Sequence, residues 1–486
     1  MNEIGIVPQA DVTGIVAAPE VNGSPRSLEG LNGTVPVPPP SAGFWAQWRA
    51  FVGPAFLVSV GYMDPGNWGT DLEAGASYRY GLLWVVALSS IMAIFMQIIS
   101  ARLGVVTGKD LAQACRDFYW PWTRYPLWIF CEVAICACDL AEVLGSAVAI
   151  NLLFGIPLFW AVVITAFDVL LLLALQGLGM RFIEALILVL VATIGGCYFI
   201  EIFILPQTQP SFREMGLALL TPGLRETGMI VGAIGIIGAT VMPHNLYLHS
   251  ALVHSRQLNG DDAAIRRGIK FNTLDTVLAL SVAFLVNAAI LVLAAHVFHG
   301  QDKVALKTGE VVALTPTGEE KPDWIRVAYL TLEPLLGYAA ASTLFAIALL
   351  ASGQSSTITG TLAGQVVMEG FMHWRITPWL RRLITRMLAI IPAVLIIGFR
   401  PETPVNKLLV LSQVILAMQL PLAMFPLLHI TSSKKWMGRF ANGWFLIAVG
   451  WGSAVLITGL VLYGLPEAIT EASEVIGVPP ASHNMP

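Results

Sequence analysis

The strongest constraint on this chain is an aspartate and a proline set side by side inside an apolar run. The run covers about residues 51–80 and contains Gly61-Tyr62-Met63-Asp64-Pro65-Gly66-Asn67. An ionised carboxylate at membrane depth is costly, so Asp64 marks a functional site by default. Pro65 lacks an N–H and interrupts the helix; its missing amide would have bonded the carbonyl of Gly61. Gly66 frees the backbone to turn. The expected result is a broken helix with a free carbonyl at Gly61 and side-chain oxygens at Asp64 and Asn67. Three hard oxygens around a gap suggest a cation site.

The pattern returns 178 positions later, as Ala239-Thr240-Val241-Met242-Pro243-His244-Asn245. Pro243 frees the carbonyl of Ala239 as Pro65 frees that of Gly61. The chemistry changes, because Met242 stands where Asp64 stood. Interrupted apolar segments at matching places in two halves of a chain point to a transporter's binding site. Two unrelated proline kinks are the plain alternative, since such kinks are common in membrane helices. The shared register favours the binding site.

The chain is 56% hydrophobic and 12% charged, with mean hydropathy +0.73. Soluble proteins carry about 25% charged residues. The chain is therefore expected to be a polytopic membrane protein, and a net charge of −4 argues against a nucleic-acid partner. Of the cysteines at 115, 131, 136, 138 and 197, four fall in apolar segments, which argues against a disulfide framework. Cys136-Ala137-Cys138 hints at a metal site, but small residues at helix contacts explain it more simply.

Residues 1–42 read as a disordered cytoplasmic tail rich in Pro, Gly, Val and Ser. No signal peptide is legible there. The glycosylation patterns at Asn22 and Asn32 would be inert in the cytoplasm. Residues 43–466 form the expected transmembrane domain, and 467–486 an extracytoplasmic tail.

Eleven apolar segments are long enough to span a bilayer. They lie near 49–79, 82–106, 125–153, 157–175, 181–204, 227–255, 268–297, 332–368, 378–398, 405–430 and 441–464. With the N-terminus inside, the inner loops and ends hold 18 Lys and Arg and the outer ones 9. That bias places the N-terminus in the cytoplasm and the C-terminus outside. The breaks then fall in the first and sixth segments, which cross in opposite senses. Segments 1–5 and 6–10 form an inverted repeat, with the eleventh added.

Other polar residues sit inside apolar segments. Glu132, Asp139 and Glu142 line similar faces of the third, where a ladder of carboxylates could carry protons or serve as neutral or paired structural acids. His244 could relay protons, since histidine titrates near neutral pH, or tie the unwound backbone together. The spacing of His244 and His249 is not that of a zinc protease, so a hydrolase is poorly supported. Arg381 and Arg382 open the ninth segment, as interface anchors or as partners of the acids. Gln413 in the tenth could swing a carbonyl oxygen toward the breaks. Asp168, Glu184 and Asp275 lie nearer segment ends and read as structural.

These motifs resemble those of the Nramp family of proton-coupled divalent metal transporters. Asp64-Pro65-Gly66-Asn67 and Met242-Pro243-His244 match its two metal-binding motifs. Asp139-Leu140-Ala141-Glu142 and Leu246-Tyr247-Leu248-His249-Ser250 match two further runs. The resemblance covers about residues 45–465. It implies an all-α, LeuT-type fold in a bacterial plasma membrane. It also implies import of Mn2+ or Fe2+, with Cd2+ and Co2+, coupled to proton influx by alternating access. The metal is cargo, and neither a cofactor nor an obligate protein partner is called for. The implied metal ligands are Asp64, Asn67, Met242 and the carbonyls of Gly61 and Ala239, with Gln413 joining in some states. The implied proton route runs through Asp64, Glu132, Asp139, Glu142, His244, Arg381 and Arg382. Asn245 follows the eukaryotic wording of the motif, where many bacterial members carry Val.

Three other readings compete. A metal sensor without transport is disfavoured by the inverted repeat. A carrier of an organic solute is disfavoured by Asp64, because such carriers aim helix N-termini at anionic substrates. A Mg2+ carrier of the same family would lack the methionine.

Overall fold

Helices make up nearly every described element, and prolines decide where two of them break. The computed structural model describes residues 26–168, 180–200, 210–224, 226–258, 261–301, 303–305, 311–313, 324–336, 340–374, 376–399 and 405–476. A short helix α1 (Phe44–Phe51) leads into α2 (Pro54–Ser59). A single 3-10 turn at Gly61–Met63 separates α2 from α3 (Pro65–Tyr78). Then follow α4 (Leu83–Thr107), α5 (Leu111–Phe118), α6 (Arg124–Phe154), α7 (Leu158–Ile164), α8 (Met180–Phe199) and α9 (Phe212–Leu220). The second break divides α10 (Thr227–Val241) from α11 (Pro243–Leu252). The chain continues through α12 (Asp262–Val297), α13 (Trp324–Leu336), α14 (Ala340–Met372), α15 (Pro378–Phe399), α16 (Val405–Ser432), α17 (Lys434–Met437) and α18 (Trp444–Ile476). Strands β1 (Lys303–Ala305) and β2 (Val311–Ala313) pair antiparallel between α12 and α13.

Seven described helices, and the broken pair α10–α11 taken together as an eighth, are long and apolar enough to cross a membrane. The three other expected segments fall short for separate reasons. The first is cut at Asp64, and the fourth ends its described part at Asp168, with 169–175 outside the described residues. The ninth, α15, carries Arg381, Arg382 and Arg386 within 22 residues. Large apolar side chains such as Ile129, Phe130 and Val133 on α6, and Leu388, Ile391 and Leu395 on α15, are exposed. In an aqueous protein they would be a liability; on spanning helices they are a lipid-facing surface.

Three expectations need correction. The eighth segment is two helices, α13 and α14, with 337–339 outside the described residues. The last helix runs on to Ile476, though its apolar span ends at Glu467, and 477–486 lie outside the described residues. Residues 26–42 are not a disordered tail: Leu28 and Val35 are buried, and the segment bonds to the helical body. Val35 accepts from the Gln257 N–H at 3.0 Å and donates to the Ser255 carbonyl at 2.9 Å, while the Leu28 N–H donates to Glu369 at 2.9 Å. An extended backbone finds partners there that composition does not reveal. Residues 1–25, with Asn22, lie outside the described residues. Finally, the Gly61 carbonyl is not wholly free, because the 3-10 turn offers it the Asp64 N–H at 3.4 Å.

The packing brings both breaks against the same helices. Helix α6 packs on α14, α16 and α15, while α3 packs on α12, α16, α10 and α6. Helix α11 also touches α6 and α16. Helices α6 and α16 therefore flank both interruptions.

Candidate functional site

Asp64 is fully buried and ends the first break as the N-cap of α3. Its Oδ1 accepts from the Asn67 N–H at 2.8 Å, which is what an N-cap aspartate does for an orphan amide. Pro65 at the first helical position needs no such partner. The second break has no matching acid. Met242 stands at its centre with φ 27° and ψ 105°, a conformation a side-chain-bearing residue rarely holds. Such strain costs about 1–3 kcal/mol and gathers at functional sites. Asn245 donates its Nδ2 to the Met242 sulfur at 3.5 Å.

The two breaks meet. A Cβ built on Gly61 would lie 3.2 Å from the Met242 sulfur and would run into Asn245. A Cβ on Gly66 would collide with the Gln413 side chain, so α16 reaches the first break directly. Gly61, Asp64, Asn67, Ala239, Met242 and Gln413 are all buried. The side-chain oxygens of Asn67 and Gln413 have no hydrogen-bond partner among the described residues. Pro243 offers no N–H to the Ala239 carbonyl. The six sequence-predicted ligand positions thus lie along the two breaks and the helix face beside them. No three His, Cys, Asp or Glu side chains group as a metal cage among the described residues. The donor set here is one carboxylate, two amides, a thioether and backbone carbonyls.

The acids of α6 face the arginines of α15. Arg381 holds Glu132 at 2.9 Å, and Trp128 donates to the same carboxylate at 3.0 Å. Arg382 pairs with Asp139, with Glu142 at 3.0 Å and with Asp168 at 3.5 Å. Both arginines are buried, so neither is an interface anchor. Arg386 pairs with Asp168, and Thr357 donates to Glu142 at 3.1 Å. Asp168, although near a segment end, sits inside this network. Arg386 belongs to it as well, and the signal for that is its place four residues after Arg382, on the same helix face. Glu184 and Asp275 lie outside this network: Glu184 bonds Arg181 at 3.0 Å and Arg256 at 2.7 Å, and Asp275 accepts from the Ala55 N–H at 2.9 Å.

Cys138 connects the two regions. Its sulfur lies 3.8 Å from Asp64 Oδ2 and 3.8 Å from Glu142 Oε1. A simple helix-contact role does not predict that position. His244 is buried beside Met242, and its Nδ1 has no hydrogen-bond partner among the described residues. No described bond from its ring ties the unwound backbone. His249 instead bonds Gln97 at 3.0 Å, and Gln97 bonds the Tyr62 hydroxyl at 2.7 Å. No disulfide joins any of the five cysteines among the described residues.

Broken helices meeting at a buried acid, inside a bundle of spanning helices, define a multi-pass transporter rather than an enzyme. A family model described as natural resistance-associated macrophage protein-like matches residues 55–467, so the chain belongs to the Nramp family. The divalent metal cation transporter MntH of Nostoc sp. is 50% identical over 424 residues, covering 87% of this chain and 92% of that protein. The protein of the same name from Ralstonia nicotianae is 47% identical over 435 residues, with 90% and 94% covered. A crystal structure of the Eremococcus coleocola manganese transporter, in complex with an aromatic bis-isothiourea substituted compound, matches with TM-score 0.80 at 37% identity. It covers 93% of this chain and 96% of that one. The nucleobase-cation-symport-1 family transporter Mhp1 matches with TM-score 0.54 at 13% identity, over 88% of this chain and 94% of that one. That likeness concerns the fold alone, which is the LeuT-type inverted repeat.

Proposed function

We propose that this chain imports divalent transition-metal ions, Mn2+ and Fe2+ first and also Cd2+ and Co2+, and couples their entry to proton influx by alternating access. The observation that carries the reading is the meeting of the two helix breaks, the first carrying Asp64 and the second Met242, where the backbone of Gly61 comes up against the Met242 sulfur. Asp64 supplies a hard anionic oxygen, and Met242 a soft sulfur that favours transition metals over Mg2+ and Ca2+. Asn67, Gln413 and the carbonyls of Gly61 and Ala239 complete the ligand set. The names of the curated relatives support the cargo class.

The proton side follows from charge. Asp139, Glu142 and Asp168 face Arg382 and Arg386, so three carboxylates meet two guanidinium groups. Glu132 and Arg381 form a pair of their own. The imbalance leaves room for one proton without stranding a buried positive charge. A proton displaced from Asp64 when metal binds has this network as its acceptor, with Cys138 between them. His244 lies beside the site as a further carrier. The N-terminus faces the cytoplasm and the C-terminus the outside. No resident cofactor enters the reading.

The test is uptake by the purified full chain in liposomes, with a panel of ions. Accumulation of Mn2+, Fe2+, Cd2+ and Co2+ without Mg2+ or Ca2+ is expected. A protein that binds these ions but accumulates none of them is a sensor, and the proposal falls.

A further inference from the structure

The thiol of Cys138 occupies a place that helix packing does not explain. It comes from α6, is 3% exposed, and shares a small packed cluster with Met242, Ala134, Ala137 and Leu416. Ala134 and Ala137 account for the small residues a close helix contact needs. The sulfur goes further, standing 3.8 Å from Asp64 Oδ2 on one side and 3.8 Å from Glu142 Oε1 on the other. Two donors on one tetrahedral zinc-sized ion, a sulfur at ~2.3 Å and an oxygen at ~2.1 Å, are about 3.6 Å apart. The Cys138–Asp64 separation is already that of two ligands sharing an ion. The buried oxygens of Asn67 and Gln413, without partners among the described residues, stand beside the same break.

We infer that Cys138 is an additional ligand for thiophilic divalent ions, Zn2+ and Cd2+, which gives this site two sulfurs instead of one. The inference rests on Asp64 and Met242 being the cargo site. Binding forms a metal–sulfur bond and breaks the S–H bond. The thiol proton passes to Glu142 Oε1, the carboxylate oxygen the sulfur faces, and fills the one proton place of that network, so the proton that the ion displaces from Asp64 leaves by way of His244 instead. The thioether of Met242 is neutral, whereas the Cys138 thiolate adds a charge and a stronger soft donor. A hard ion such as Mn2+ gains less from it. Cys138 therefore sorts soft cargo from hard, and is not a requirement for metal as such.

Cadmium titration of the purified full chain, followed by the cadmium–thiolate absorbance band, tests this without any transport step. The band is expected in the parent protein and in Cys136→Ser, and is expected to vanish in Cys138→Ser. In uptake assays, Cd2+ should need about tenfold more concentration to compete with Mn2+ in Cys138→Ser. X-ray absorption at the cadmium edge of the parent protein guards against a variant that fails to fold. Two sulfur neighbours support the inference, and one sulfur or none overturns it. A band that survives in Cys138→Ser also overturns it. Absence of Mn2+ uptake in the parent would sink the cargo reading separately, because the absorbance and the edge spectrum report binding alone.

Discussion

Arg382 holds Glu142 at 3.0 Å from the facing helix, and the same guanidinium also pairs with Asp139. Both partners are fully or almost fully buried, so the pairing fixes which charges the helix interior can carry. A lone acid there would be neutral; acids facing arginines can be charged and can exchange a proton.

The first prediction concerns coupling. Asp139→Asn keeps the shape of the side chain and removes one proton acceptor. Metal binding by titration calorimetry should stay nearly intact, while the number of protons entering per metal ion should fall. An unchanged proton count would make the α6 acids structural and send the proton elsewhere.

The second concerns stability. Arg386→Leu removes the closer of the two arginines that face buried Asp168 and leaves it only Arg382 at 3.5 Å, which should cost up to about 3–5 kcal/mol. The double variant Arg386→Leu with Asp168→Leu should recover most of that loss. Thermal unfolding in detergent reads both. A double variant no more stable than the single one would mean that the pair is not an energetic unit.

The third concerns selectivity. Met242→Ala removes the thioether, and discrimination of Mn2+ against Ca2+ should drop by about 10–100-fold. Mn2+ transport itself should fall less. If Ca2+ remains excluded as well as in the parent protein, the sulfur is not the filter.

The fourth concerns orientation. A cysteine at exposed Ser41 should be protected from an impermeant thiol reagent on whole cells, while one at Ser482 should react. Ser27 is unsuitable because it is buried. The four buried native cysteines should stay silent, and Cys136 should first be changed to Ser. Labelling in the opposite sense would reverse the assigned topology.

Much of the site was legible because its signals are local. Pro65 and Pro243 mark the breaks by chemistry within five residues, and Asp64 announces itself by its apolar surroundings. The ladder on α6 follows from helical spacing alone. What stayed hidden depends on contacts between distant segments. Asp168 and Arg386 are 218 positions apart, and nothing local ties one to the other. Cys138 looked like a packing residue until the neighbouring helix brought Asp64 to its sulfur. Leu28 and Val35 lie in a stretch whose composition reads as disorder, yet the backbone there finds an edge at Ser255 and Gln257. The carbonyl of Gly61 illustrates a finer limit, since a 3-10 turn supplied a partner that a simple helix break would not.

The most direct test of the account is a paired measurement of Mn2+ entry and internal acidification in the same vesicles. The account predicts that acidification tracks Mn2+ entry in the parent protein and that both disappear in Asp64→Asn. Mn2+ entry without acidification, or sustained entry in Asp64→Asn, would contradict it.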